Sequence, residues 1–118
     1  MIPLKVDYKN FEAHPDLNPL IQEQTIKLEK YFDRITSCHV VVSRPHQHHV
    51  NGNVYHVHIE LHIPGNNIAI TKESERDIRH DNPSVAIRDA FKSASRKLQD
   101  YADILRNDIK AHNLINSI

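Results

Sequence analysis

The sequence predicts an α+β fold with the element order β-α-β-β-β-α, a two-layer sandwich in which both helices pack on one face of a four-stranded sheet. Three observations predict it. Apolar residues alternate in four short segments, recur with a 3.6-residue period in two others, and are separated by turns rich in proline, glycine and asparagine. Because 118 residues suit one domain, we expect residues 1–118 to form a single domain.

The first strand and the first helix each carry a local signature. Apolar and polar residues alternate from Ile2 to Tyr8, which predicts a half-buried strand. Asn18 before Pro19 predicts a helix start, because asparagine caps helices and proline lacks only an N–H that the first turn leaves unused. We predict a helix over residues 19–34, with an apolar side formed by Leu20, Ile21, Leu28, Tyr31, Phe32 and Ile35.

Three further strands are predicted in the middle of the chain. Residues 38–44, CHVVVSR, are rich in β-branched side chains and predict the second strand. The pair Asn51 and Gly52 predicts a hairpin, so VYHVHIELHI over residues 54–63 is the return strand. A PGNN turn then leads to NNIAITKE, the fourth strand, over residues 66–73.

One long helix is predicted near the end of the chain, over residues 83–112. Asn82 and Pro83 repeat the pattern of a capping residue followed by proline. Apolar residues at helical spacing predict the buried side of this helix: Ile87, Ala90, Phe91, Ala94, Leu98, Tyr101, Leu105 and Ile109.

Histidines at alternate positions of the third strand raise the question of a metal site. If the apolar residues between them face the helices, then the opposite, open face carries His56, His58, Glu60 and His62. We favour a solvated strand face. Residues two apart on a strand lie about 6.5–7 Å from each other, so a metal would need a third ligand from a neighbouring strand, for which His39 has the right parity.

The predicted hairpin holds three more histidines, His46, His48 and His49. They are an alternative metal site, but nothing in a hairpin loop fixes their geometry. We therefore predict no metal and no cofactor. All ten histidines would instead add positive charge in mild acid, because an ordinary histidine has a pKa of about 6.5, and we expect RNA attraction to strengthen there.

The sequence carries none of the common catalytic motifs, so we do not expect an enzyme. The chain has only two glycines, Gly52 and Gly65, and thus no glycine-rich phosphate loop, and it has no nucleophile elbow or HExxH pattern. Cys38 lies in a strand with Val40 and Val42 and is typical of a small core residue, and a single cysteine favours a reducing compartment. No segment approaches the roughly 20 apolar residues of a membrane span. We expect a cytoplasmic protein.

Charge placement is more informative than net charge. Lysine plus arginine and aspartate plus glutamate number 15 each, so any electrostatic function needs segregated charge. On the last helix cations recur every four residues and share one flank, and a second cationic flank occurs on the first helix. One interpretation is a solvated surface with local ion pairs. The other, which we adopt, is an RNA phosphate-binding surface formed by Lys27, Lys30, Arg34, Arg88, Lys92 and Arg96.

Three segments resemble the ribosome hibernation-promoting factors, also called sigma-54 modulation or ribosome-associated inhibitor proteins. They are KLEKYFDRI at residues 27–35, the histidine-containing strand with its IELHI end, and VAIRDAFKSASRKLQDY at residues 85–101. The resemblance spans about residues 2–110. It implies a β-α-β-β-β-α domain that binds the small ribosomal subunit near the mRNA and tRNA sites, and it carries the family's basic positions onto Lys27, Arg34 and Arg96.

The function implied by this resemblance is inhibition of translation under stress or in stationary phase, without chemistry. The implied partner is the small ribosomal subunit with its 16S rRNA, and neither a membrane nor DNA is expected. The chain resembles the short form of the family, without a second dimerisation domain. The alternative is a divergent relative that acts as a protein- or metal-binding module through its histidine-rich sheet face and hairpin.

Overall fold

Four strands and two helices follow one another in the predicted order β-α-β-β-β-α. The computed structural model describes residues 2–10, 12, 15–44, 55–73 and 83–116. Its elements are β1 (Leu4–Lys9), α1 (Leu17–Leu28), β2 (Ser37–Ser43), β3 (His56–Ile63), β4 (Asn66–Glu73) and α2 (Pro83–Asn116). The predicted fold class is confirmed, whereas the predicted hairpin residues Asn51 and Gly52 and the capping residue Asn82 lie outside the described residues.

The sheet has the strand order β1-β2-β3-β4. Strand β1 runs parallel to β2, because α1 forms the crossover between them, and the two later pairs are antiparallel. Strands β3 and β4 are joined by Pro64 and Gly65. Gly65 has φ +78°, the left-handed value that a type II turn with proline at its first central position requires.

Both helices pack on the same face of this sheet and against each other, and the core lies between the two layers. Along β2 and β3 the side chains alternate strictly between buried and partly exposed. The largest side chains that this arrangement buries completely are Phe91, Ile21, Leu28, Ile59, Leu61, Ile87 and Leu98. Burial of each such side chain stabilises the fold by about 1.5–3 kcal/mol before the entropic cost of ordering it.

The start of α1 differs from the prediction. The helix begins at Leu17 with Asp16 as its N-cap, whose side chain makes no capping hydrogen bond. Asn18 does not cap the helix, and its Oδ1 instead accepts a hydrogen bond from the Tyr8 hydroxyl at 2.6 Å. Pro19 therefore occupies the third helical position, which is still within the first turn, where no backbone N–H is needed.

The end of α1 was also predicted wrongly, since the helix stops at Leu28 and not at residue 34. The next backbone N–H groups, those of residues 29–31, bond to carbonyls three residues back, so the chain tightens into turns. Phe32 and Ile35 still reach the core from these turns, at a spacing that resembles a helix. Apolar periodicity therefore did not distinguish helix from packed turn here.

Helix α2 begins at Pro83, as predicted, and continues to Asn116, four residues beyond the predicted end at residue 112. Ile87, Phe91 and Leu98 are fully buried against the sheet. Tyr101 is only partly buried, at the border of the core. The predicted apolar stripe is thus confirmed from Ile87 to Leu98, and its last member, Ile109, lies outside the residues whose side chains the structure describes.

Candidate nucleic-acid interface

The outer side of α2 presents three of the predicted cations. Arg88, Lys92 and Arg96 are all exposed, at intervals of four residues, while Phe91 and Ala94 between them are buried. Residues four apart on a helix lie on the same side, about 6 Å apart along the axis. The fold therefore holds these three charges in a row that points away from the sheet.

The other three predicted cations are exposed as well, but only one belongs to a helix. Lys27 lies in the last turn of α1, with its ammonium 3.5 Å from the Glu23 carboxylate. Lys30 and Arg34 follow the helix end, in the turns that lead to β2. The prediction that all three share one helical flank is wrong, because α1 stops at Leu28.

An aromatic contact fixes where these turns lie relative to α2. The Phe32 ring meets the Tyr101 ring edge to face, with 5.8 Å between centroids and 71° between planes. Residues 30–34 therefore lie beside the part of α2 near Tyr101, which is about 7 Å of helix from Arg96 and about 20 Å from Arg88. We name the six exposed cations, three on α2 and three at and after the end of α1, the helix-side band.

Two further cations of α2 have partners within the domain. The Lys97 ammonium donates to the Ala69 carbonyl of β4 at 3.2 Å, so this side chain spans from the helix to the sheet edge. Arg106 is paired with the Asp103 carboxylate one turn before it. Neither residue belongs to the six cations that were predicted to bind RNA.

Histidines of β3 lie on the open face of the sheet, as predicted, and hydrogen-bond to β4. His58 Nδ1 and the Thr71 hydroxyl are 2.8 Å apart, and His62 Nδ1 donates to Asn67 Oδ1 at 2.9 Å. The register explains both contacts, because these residues stand directly opposite each other in the β3–β4 pair.

A fourth histidine on this face, His39 of β2, pairs with a residue that the sequence analysis missed. Its Nε2 donates to the Asp7 carboxylate at 2.7 Å. This hydrogen bond lowers the pKa of Asp7, helped by the nearby positive charges of Lys5 and Lys9 and opposed by desolvation. Alternation in β1 places Asp7 on the open face, but only the parallel β1–β2 register reveals that it meets His39.

The described residues include no group of three or more histidine, cysteine, aspartate or glutamate side chains arranged to hold a metal ion. His39, the predicted third ligand, stands opposite Glu60 in the register and forms a hydrogen bond with Asp7. The hairpin histidines lie outside the described residues. Cys38 is buried, as predicted, and desolvation raises its pKa to about 11.

Arg44, at the end of β2, is a second residue that the sequence analysis did not single out. Its guanidinium lies 5.7 Å from the centre of the Tyr55 ring, within the range of a cation–π contact. Its Nε is buried and has no hydrogen-bond acceptor among the described residues. Across those same residues, no helix is both long enough and apolar enough to cross a bilayer.

Comparison with known proteins gives a family and a fold. The family described as sigma 54 modulation protein / S30EA ribosomal protein matches residues 4–106. The Protein Y N-terminal domain of Thermus thermophilus superposes with a TM-score of 0.66 at 18% identity, covering 86% of this chain and 99% of that one. A ribosomal subunit interface protein from Coxiella burnetii gives 0.68 at 15% identity, with the same coverage. No curated protein sequence was found to match the chain.

Proposed function

The chain belongs to the sigma 54 modulation protein / S30EA ribosomal protein family, and from this membership we propose that it is a ribosome-associated factor. The family match over residues 4–106 is the observation that carries this proposal. The superposition on a protein described as a ribosomal subunit interface protein supports it at the level of the fold. The proposed partner is the small ribosomal subunit with its 16S rRNA, which also implies a cytoplasmic location.

The helix-side band supplies the contacts that such a factor needs. Ribosomal RNA presents a dense array of phosphates, and exposed lysine and arginine side chains neutralise them without reading the base sequence. All six members of the band are exposed, and a short segment of α2 holds three of them in one row. We therefore assign RNA binding to Lys27, Lys30, Arg34, Arg88, Lys92 and Arg96.

The proposed mechanism is occupation of a site and involves no chemical step. A domain bound near the mRNA and tRNA sites of the small subunit would exclude those ligands and so inhibit translation. This position follows from the family resemblance, and the exposed cations are compatible with it. The alternative role as a metal-binding module has no support among the described residues, which hold no metal-binding group.

Sedimentation with isolated small ribosomal subunits tests the proposal. At pH 7.5 and low salt the parent protein is expected in the ribosomal pellet, and raised salt should release it. Replacing Arg88, Lys92 and Arg96 together by glutamate should abolish pelleting at moderate salt, because these exposed charges would then repel phosphate.

A matched control has to reproduce the same change in net charge elsewhere on the molecule. Lys5 and Lys9 are exposed on the open face of the sheet, away from the helix-side band, so their double replacement by glutamate serves this purpose when it is compared with the double replacement of Lys92 and Arg96. The control should still pellet at pH 7.5. Retention of pelleting by the helix triple would refute the assigned surface, and a parent protein that never pellets would refute the ribosomal function.

A further inference from the structure

Titratable side chains crowd the open face of the sheet, on the side away from both helices. The four strands place them in neighbouring register positions, with His39 opposite Glu60, and with His58 and His62 on either side of Glu60 along β3. From β1 to β4 the titratable groups whose side chains lie on the open face, among those that the structure describes, are Lys5, Asp7 and Lys9, then His39, and then His56, His58, Glu60 and His62.

The formal charge of this face becomes positive when its histidines are protonated. Among the described side chains, two lysines and two carboxylates give 0 while the four histidines are neutral, and four added protons give +4. Histidine is the side chain whose charge changes in mild acid. The face is thus neutral towards polyanions until its histidines are protonated, and attractive once they are.

The hydrogen bonds on this face are compatible with charged histidines. Asn67 Oδ1 and the Asp7 carboxylate are acceptors, so His62 and His39 donate to them in either protonation state. The Thr71 hydroxyl can accept from His58 in the same way. Protonation therefore breaks none of these contacts, and it converts the second ring nitrogen of each histidine into an additional N–H donor.

We propose that the open face of the sheet is a second RNA-binding surface, which engages phosphates only when its histidines are protonated. RNA matches this surface because imidazolium N–H groups donate to phosphate oxygens, and because histidine rings stack on unpaired bases. The inference rests on the proposed function in taking RNA as the partner. It adds a pH-dependent contact on the face opposite to the helix-side band.

The expected size of the effect is set by how many of the four histidines become charged, and we take about two to three of them for the change from pH 7.5 to pH 6. If each added charge contributes as much as an exposed ion pair, RNA affinity rises on the order of tenfold. The log–log salt slope for single-stranded RNA should also become steeper by about 2 at pH 6.

Binding to a labelled oligouridylate of about 20 nucleotides, and in parallel to small ribosomal subunits, is measured at constant ionic strength at pH 7.5 and pH 6. One variant carries His56→Gln, His58→Gln and His62→Gln. The control carries glutamine at His46, His48 and His49 and so loses the same number of histidines. Thermal unfolding monitored by circular dichroism verifies that each variant is folded.

A further variant acts in the opposite direction, so that misfolding cannot imitate its effect. Glu60→Gln removes one negative charge from the open face and leaves its neighbouring histidines in place. This variant should bind oligouridylate more tightly than the parent at pH 6, by up to a few-fold, and about equally at pH 7.5.

The inference predicts that the parent and the hairpin control bind oligouridylate more tightly at pH 6, and that the sheet triple shows little pH dependence. Equal pH dependence in the parent and the sheet triple would overturn it. A pH effect seen with phosphatidylserine vesicles but not with RNA would overturn RNA as the partner. A pH effect on oligouridylate without binding to small subunits would support the inference and refute the proposed function.

Discussion

The salt dependence of ribosome binding gives a quantitative test of the helix-side band. The perturbation is the triple replacement of Arg88, Lys92 and Arg96 by glutamine, which removes three exposed charges without introducing repulsion. These side chains point away from the sheet and take no part in the core, so the fold should be unaffected. Only the number of phosphates that the protein neutralises should fall, from six to three.

The magnitude follows from counting contacts. Each neutralised phosphate contributes about −0.7 to −0.9 to the slope of log affinity against log salt, so six give about −4 to −5 and three give about −2 to −2.5. Between 50 and 200 mM salt the parent should therefore lose affinity about 250- to 1,000-fold, and the variant only about 15- to 30-fold. The two affinities converge as salt rises.

The assay is equilibrium binding of fluorescently labelled protein to small ribosomal subunits at pH 7.5, with magnesium held constant along the salt series. A control with glutamine at Lys5 and Lys9 loses two charges from the open face of the sheet and should keep the parent slope. If the helix triple retains the slope of the parent while its affinity falls, those residues do not neutralise phosphates and the electrostatic reasoning is wrong.

Three further predictions follow from single contacts. Glu23→Gln should raise ribosome affinity by up to a few-fold in the same binding assay, because Lys27 loses the carboxylate 3.5 Å away that competes with phosphate. Phe91→Ala should lower the free energy of unfolding by about 3–5 kcal/mol in urea titrations, whereas Ile104→Ala, at a position 56% exposed, should change it by less than about 0.5. The pKa of Cys38 is raised to about 11 while that of an unfolded thiol is about 8.5, so the free energy of unfolding should fall as pH rises between them, and the folded thiol should resist disulfide reagents at pH 8.

The orientation of the histidine row could be predicted from the sequence because side chains of a strand alternate with a period of two. Once Val57 and Ile59 are assigned to the core, His56 and His58 have no other face available. The buried side of α2 was predictable for the same kind of reason, since its stripe runs unbroken over several turns. A long, strictly periodic segment therefore allows few alternative assignments of its buried side.

Other features depended on contacts between distant segments. The pair of Asp7 and His39 requires the parallel register of two strands that α1 separates, and no local pattern reports that register. The end of α1 escaped prediction because Phe32 and Ile35 pack on the core from turns, at a spacing that a helix would also give. As a result Lys30 and Arg34 were assigned correctly to the surface but wrongly to a helix.

A net charge of zero does not prevent RNA binding by one face when the carboxylates of the other face lie beyond the screening distance. The thinnest extent of the molecule is 19 Å, whereas charges in water at physiological salt are screened over about 8 Å. RNA on the helix layer therefore responds mainly to the helix-side band and little to the carboxylates of Asp7 and Glu60 on the far side of the sheet. For the same reason, protonation of the open face should leave contacts to the helix layer unchanged. A neutral protein can thus hold RNA with one face at any pH and add the other face only in mild acid.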